Sequence, residues 1–294
     1  MESHANGETI RRIFLRLSAA LGPQHWWPAD SPFEVVVGAF LTQNTAWTNV
    51  ELALANLRRA GSLNLPGIRR TPLAELETLV RPAGYFRQKA ERIKLFVQHL
   101  DTHHGGSLEN LFAQPTPALR SELLSLKGIG PETADSILLY SARHEVFVVD
   151  TYTRRILSRH GLPAGPDHKN EHPGHKKGPT DRRSPAYDEI RLPVEAALAA
   201  LSATHRPFAE HSEAAKAPIG RIALPIHQPS PASQLPRSPL ARDFSEFHAL
   251  LVQTAKHFCH KAAPLCQGCP LEPLLPATAR PPANAKPHPK SKIR

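Results

Sequence analysis

The chain has 294 residues, enough to bury one large core or two small ones. Its 36 Lys+Arg against 26 Asp+Glu give a formal net charge of +10, which favours a polyanionic partner. Arg280, Lys286, Lys290, Lys292 and Arg294 lie in a Pro/Ala/Lys tail without acidic residues, so the remainder is only mildly basic. A charged N-terminus, and no apolar run near the ~20 residues of a membrane span, argue against a secretory or membrane protein.

The first two-thirds reads as a string of short helices. Ile10, Ile13, Phe14, Leu17 and Leu21 share one helical face, and Gly22 follows as a stop. Three helices are expected to open with a hydroxyl N-cap and a proline: Ser31-Pro32, Thr71-Pro72 and Thr116-Pro117. Ser31 and Glu34 have the spacing of a capping box, and Phe33 to Leu41 is apolar nearly all round, which predicts a central buried helix. Val50, Leu54 and Leu57 mark a helix ending at Gly61. Ile93, Phe96, Val97 and Leu100 mark another before Gly105-Gly106. Only Val146–Val149 looks strand-like, and four residues between helices are too few for a sheet. The fold class is all-α.

After Gly161 the pattern breaks. Residues 163–183 are rich in Pro, Gly, His and Lys, and 205–240 are rich in proline; both read as disordered surface insertions. Tyr187 to Leu201 resumes helical spacing despite Pro193, Phe244–Phe258 is helical again, and 276–294 reads as a disordered basic tail. The expected domains are a helical block of about 31–148 and a second one built from 1–30 plus 149–275.

The most informative stretch is Leu126-Lys127-Gly128-Ile129-Gly130-Pro131-Glu132-Thr133-Ala134, with Val149-Asp150-Thr151 downstream. A Gly-x-Gly turn at the start of a helix exposes consecutive amides at the positive end of a dipole, which suits a phosphate oxygen. Asp150 follows at the start of the next helix. Each half alone is more often a tight αα-turn or a helix cap. Together, in this order, they resemble the helix-hairpin-helix DNA glycosylase superfamily that includes endonuclease III.

The resemblance implies a two-lobed helix-hairpin-helix DNA glycosylase fold with the DNA cleft between the lobes. It makes Asp150 the catalytic carboxylate, stabilising oxocarbenium character on the deoxyribose and orienting a water. Lys127, Gly128, Ile129 and Gly130 become phosphate neighbours. At Glu132 the bifunctional members have a lysine that forms a Schiff base, which glutamate cannot do. AP lyase activity is therefore not expected.

All three tryptophans fall in Trp26-Trp27-Pro28 and Leu41-Thr42-Gln43-Asn44-Thr45-Ala46-Trp47. The bland reading is one core and one half-exposed tryptophan. The arrangement resembles the endonuclease III-like 3-methyladenine glycosylases, which have Trp-Trp-Pro, an aromatic after Leu-Thr-Gln-Asn-Thr, and Glu in the hairpin. That match implies a base pocket of Trp26, Trp27, Pro28, Trp47 and Glu132, with Gln43 filling the gap left in the duplex. A cationic alkylpurine suits such rings and leaves without acid assistance.

Cys259-x6-Cys266-x2-Cys269 has the spacing of the endonuclease III iron–sulfur loop, but Leu275 stands where the fourth cysteine belongs. The resemblance implies a four-iron cluster with an incomplete ligand set. A non-Cys ligand such as His257 or His260, a three-iron cluster and a vestigial loop stay open.

The function expected is thus a monofunctional base-excision-repair glycosylase for alkylated purines. It acts as a monomer on damaged double-stranded DNA, in the cytoplasm, or at the nucleoid if bacterial. Two alternatives stand: a bifunctional glycosylase/lyase for oxidised pyrimidines, and a non-catalytic DNA-structure-binding protein.

Overall fold

The computed structural model describes residues 2–162, 185–202, 222, 224 and 227–277, and these are helical with no strand among them. The expected insertion 163–183, most of 205–226 and the tail beyond Ala277 lie outside the described residues. No helix among the described residues is long and apolar enough to cross a membrane. The chain divides into two compact units.

The unit of residues 25–148 and 228–241 carries α2 (Pro32–Leu41), α3 (Trp47–Arg59), α4 (Leu65–Arg70), α5 (Leu73–Leu79), α6 (Phe86–His104), α7 (Leu108–Phe112), α8 (Thr116–Ser125) and α9 (Pro131–Ser136). A π-helical turn, Ile137–Ser141, extends α9. As its composition predicts, α2 is buried from Phe33 to Leu41 and packs on α3, α6 and the π turn. Ser31 Oγ accepts from the Glu34 amide at 3.2 Å, while the Glu34 carboxylate returns to the Asp30 amide rather than to Ser31 itself. The other two expected N-caps form differently. Thr71 Oγ1 donates back to Gly67 O (2.8 Å), closing α4, and Thr116 Oγ1 pairs with His144 Nδ1 (2.8 Å). Pro72 and Pro115, one residue off the expected cap in each case, precede α5 and α8. A hydroxyl bonded elsewhere cannot cap.

The second unit comprises residues 1–24, 149–227 and 242–294. It holds α1 (Glu2–Leu21), α10 (Thr151–Arg159), α11 (Pro185–Ser202), α12 (Pro239–His257, from Arg242 on) and the cysteine loop. Helix α1 packs along α11, and Phe14 meets Phe247 edge-on at 5.3 Å. Arg16 Nε donates to Pro270 O (2.9 Å), and the Gln24 amide donates to Glu246 (2.7 Å), so α1 also ties down the loop and α12.

Two boundaries differ from the sequence reading. The division near residue 30 falls between Gln24 and His25, because Trp26–Ala29 pack with the 31–148 block. Residues 228–240, expected in a disordered insertion, belong with Ala241 to the same block and are ordered against it. Ser230 Oγ donates to Trp27 O (2.9 Å) and accepts from the Ala29 amide, and the Ala232 amide donates to Ala29 O (3.0 Å). A backbone strap of this kind has no hydrophobic period to announce it.

Candidate active site and nucleic-acid interface

The hairpin turn joins α8 to α9. Gly128 takes φ +83, and a Cβ there would lie 2.1 Å from Arg92 Nε, so both conformation and contact require glycine. Gly130 has φ −98 with open space around its α-carbon, so it is not conformationally obligatory. The Ile129 amide donates back to Leu126 O (3.2 Å), and the residue is buried. Of the three amides expected to face a phosphate, this one is spent inside the turn. Lys127 is exposed and pairs with Glu91 at 2.9 Å, a surface contact worth about 0–1 kcal/mol that a phosphate can displace. The two helices are locked by a bidentate Arg120–Asp135 pair at 2.7 and 3.1 Å, with Asp135 fully buried. Glu132 stands exposed in the first turn of α9.

Gln43 is half-buried and held on the hairpin. Its Nε2 donates to Gly128 O and Thr133 Oγ1, both at 3.0 Å, and its Oε1 accepts from Arg92 Nη1 at 2.7 Å. In this state the side chain expected to fill a gap in DNA instead braces the turn. Lys89 organises the same region from below. It is 1% exposed, and its ammonium donates to Leu41 O (2.8 Å), Thr45 Oγ1 (2.7 Å) and Ala83 O (2.7 Å). Burial, helped by the Arg92 charge, pushes Lys89 down to about 8. Neither Lys89 nor Arg92 carries a sequence signal: each reads as one more polar residue on an amphipathic helix.

The three tryptophans form one cluster. Trp26 meets Trp27 at 5.1 Å and Trp47 at 4.9 Å between ring centroids, and Trp27 meets Trp47 at 5.5 Å and Tyr140 at 5.4 Å. Trp27 is the core member. It lies over Gly38 of α2, where an added Cβ would come within 3.0 Å of the indole. Trp26, Trp47 and Pro28 are half-buried. The rings pack on one another, leaving no slot between any pair wide enough to sandwich a base. The outer faces of Trp26 and Trp47 are what a base can stack on. The buried indole N–H groups of Trp27 and Trp47 have no hydrogen-bond partner among the described residues.

Asp150 belongs to the other unit. It is the N-cap of α10, as expected, with Oδ1 accepting from the Thr153 amide at 2.7 Å. The preceding Val149 amide is fixed by Tyr187 OH of α11 (3.1 Å). Oδ2 lies 3.5 Å from Nε2 of His248 on α12, a contact the sequence did not indicate because a lone histidine in a helix is unremarkable. Burial works to raise the carboxyl pKa. His248, through its hydrogen bond and its charge, together with the Thr153 bonds, outweighs burial and holds the group below the usual range. Asp150 is therefore an ionised carboxylate in a nearly closed setting.

The cysteine loop is clasped by arginines from α10. Arg155 Nε donates to Cys259 O (2.7 Å), and Arg159 donates to Cys259 Sγ (2.9 Å), His260 O (2.8 Å) and Lys261 O (3.0 Å). The three cysteines, Leu275 and His160 line one cavity of about 20 Å³, while His257 and His260 do not line it. Burial pushes Cys266 up and Cys269 up to about 11. Three thiols, a buried leucine at the fourth position and room for one water-sized guest do not fit a four-iron cluster as the side chains stand.

The comparisons agree with this architecture. Residues 37–173 match the family model of HhH-GPD superfamily base excision DNA repair proteins. The chain is 35% identical over 266 residues, 90% of its length and 94% of the relative's, to a Methanocaldococcus jannaschii protein provisionally named a DNA repair glycosylase. It is 34% identical over 137 residues to Thermotoga maritima endonuclease III, covering 44% of this chain and 57% of that one. Among solved structures, the H. pylori 3-methyladenine DNA glycosylase bound to 1,N6-ethenoadenine superposes with a TM-score of 0.60 at 27% identity, over 85% of this chain and 97% of that one. A non-covalent endonuclease III–DNA complex gives 0.58 at 19% identity, over 92% and 94%, which bears on the fold alone.

The chain belongs to the HhH-GPD superfamily of base excision DNA repair proteins, and by that membership it is a DNA glycosylase.

Proposed function

We propose that this glycosylase removes cationic alkylated purines, of which 3-methyladenine is the type, from double-stranded DNA without cutting the strand. The observation that carries this reading is the tryptophan cluster, with two half-buried rings offering outer faces to a base. Electron-rich rings favour a desolvated cation by about 2 kcal/mol or more, and stacking adds about 1–3 kcal/mol per base. The similarity to the H. pylori 3-methyladenine glycosylase supports the same substrate class.

A purine already carrying positive charge departs as a neutral base, so the leaving group needs no general acid. What the reaction requires is a fixed negative charge for the developing oxocarbenium ion and a directed water, and Asp150 is the group assigned to both. Its depressed pKa keeps it ionised for that task.

A lyase step needs an amine with a free lone pair. Lys89 has the depressed pKa such an amine would show, yet it is buried and all three of its protons are engaged. Glu132 has no amine to offer. Binding of the DNA backbone is assigned to the hairpin turn, through the Gly128 and Gly130 amides and Lys127.

A base-release screen over duplexes carrying alkylated, oxidised and deaminated bases tests the proposal. Release of 3-methyladenine, leaving an abasic site that breaks only on alkali treatment, is the expected result. Release of oxidised pyrimidines with strand nicking, or covalent trapping by borohydride, would restore the bifunctional reading.

A further inference from the structure

Away from the tryptophans and the hairpin turn, three donor groups converge at the C-terminal end of α6. His99 Nε2 lies 2.6 Å and His104 Nε2 2.5 Å from the same carboxylate oxygen, Oε1 of Glu122 on α8. All three donor atoms fall within 4.8 Å of one another, and their side chains are only 13–21% exposed. Two histidines sharing a carboxylate by hydrogen bonding alone would do better with one on each oxygen. Here both are directed to one oxygen, and the other, Oε2, is taken by Gln114 Nε2 at 2.6 Å. Gln114 thus orients the carboxylate from outside, the service second partners perform for metal ligands. The helix end is held firm around the triad. His103 stacks on His99 at 4.3 Å, and Asn110 Nδ2 donates to His104 O.

We propose that His99, His104 and Glu122 bind one divalent transition-metal ion of the zinc type. Imidazole nitrogens select such ions over magnesium or calcium, which prefer all-oxygen shells. Zinc takes nitrogen and oxygen ligands at about 2.0–2.2 Å, so its tetrahedral ligands sit roughly 3.3 Å apart. Opening each N···O separation by somewhat under an ångström admits the ion in the space between them. Three protein donors leave a fourth position for water or a further ligand. The ion would staple the last turn of α6 to α8, the helix that runs into the hairpin turn. The site therefore bears on how rigidly the turn is presented.

The thiols of the cysteine loop offer metal donors of a different kind, and cobalt(II) separates the two. Titrated into the full-length protein, Co²⁺ bound by this triad shows visible bands without thiolate charge transfer, whereas Co²⁺ on Cys259, Cys266 or Cys269 shows intense near-ultraviolet charge transfer. Expected is one Co²⁺ per chain with the nitrogen/oxygen spectrum. Its affinity should fall at least tenfold in Glu122→Gln, a same-shape change, and binding should vanish in the His99→Ala/His104→Ala double variant. Zn²⁺ should raise the thermal midpoint of the parent but not of Glu122→Gln. A spectrum dominated by thiolate charge transfer, or nitrogen/oxygen binding that persists in Glu122→Gln with its circular dichroism intact, overturns the proposal.

Discussion

Replacing Lys89 by methionine removes three hydrogen bonds and one buried charge, and the structure sets the two effects against each other. Leu41 O loses the ammonium, and a buried carbonyl left without its partner costs about 1–3 kcal/mol. Thr45 Oγ1 keeps its own bond to Ala83 O. Against this, holding the ammonium at about 8 rather than its ordinary 10.5 means that folding at neutral pH carries about 3 kcal/mol of charge burial, which methionine relieves. At pH 7 the two nearly cancel, and Lys89→Met should change the unfolding free energy by no more than ~3 kcal/mol. The sign of the pH dependence is fixed. A lysine whose folded pKa is depressed binds fewer protons folded than unfolded between about 8 and 10.5, so the parent gains stability as pH rises through that window. The methionine variant does not. Urea titrations of both chains from pH 7 to 10.5 should show the parent's advantage growing by about 3 kcal/mol. A difference that stays flat with pH would refute the account of Lys89 as a desolvated charge.

Asp150→Asn should abolish base release while leaving binding to a damaged duplex nearly unchanged, since shape is kept and charge removed; turnover at the parental rate would reduce Asp150 to a helix cap. His248→Ala removes the largest influence opposing burial, so the acid limb of the kcat/KM profile, which in the parent lies below the ordinary carboxylate range, should move upward; an unmoved limb would sever His248 from Asp150. Gly128→Val should weaken binding to every duplex alike, because strain at φ +83 and collision with Arg92 disturb a phosphate contact that carries no sequence information. A loss confined to one lesion would contradict this. Trp47→Ala should lower 3-methyladenine release on the order of tenfold or more from lost stacking of ~1–3 kcal/mol, whereas Trp27→Ala should cost about 3–5 kcal/mol of stability, as removal of a core ring does. Parallel denaturation and base-release measurements distinguish the two roles.

How much of this could be read in the sequence follows from which residues speak through local pattern. The apolar run Phe33–Leu41 and the Gly128-Ile129-Gly130 turn did so, since burial all round and a left-handed glycine leave local traces. Asp150 declared itself as a cap with the hairpin upstream. What escaped are residues whose meaning lies in distant partners. Arg92 on Gly128 and Gln43, Lys89 under two helix ends and His248 beside Asp150 are ordinary polar letters within helices, and Gln114 behind Glu122 is one more polar residue in a short connection. The N-caps at Thr71 and Thr116 failed for the complementary reason. Their local signals were sound, but Gly67 O and His144 offered the hydroxyls other bonds.

The strap of residues 228–241 bears on how the molecule can be divided and assembled. Ser230 reaches Trp27 across 203 positions of chain, and between those partners lies the whole middle segment, 149–227, of the other unit. Neither unit is a continuous piece of polypeptide, so cutting the gene after Val148 would give a fragment whose Trp26-Trp27-Pro28 turn lacks the backbone that closes it. Synthesis from the N-terminus produces the tryptophans long before their clasp exists. Closure of so long a loop is among the slower events in folding, since chain entropy is surrendered before the contact repays it. Until then an apolar indole cluster stands partly uncovered, which makes the nascent 25–148 segment the part of the chain with most need of protection from aggregation.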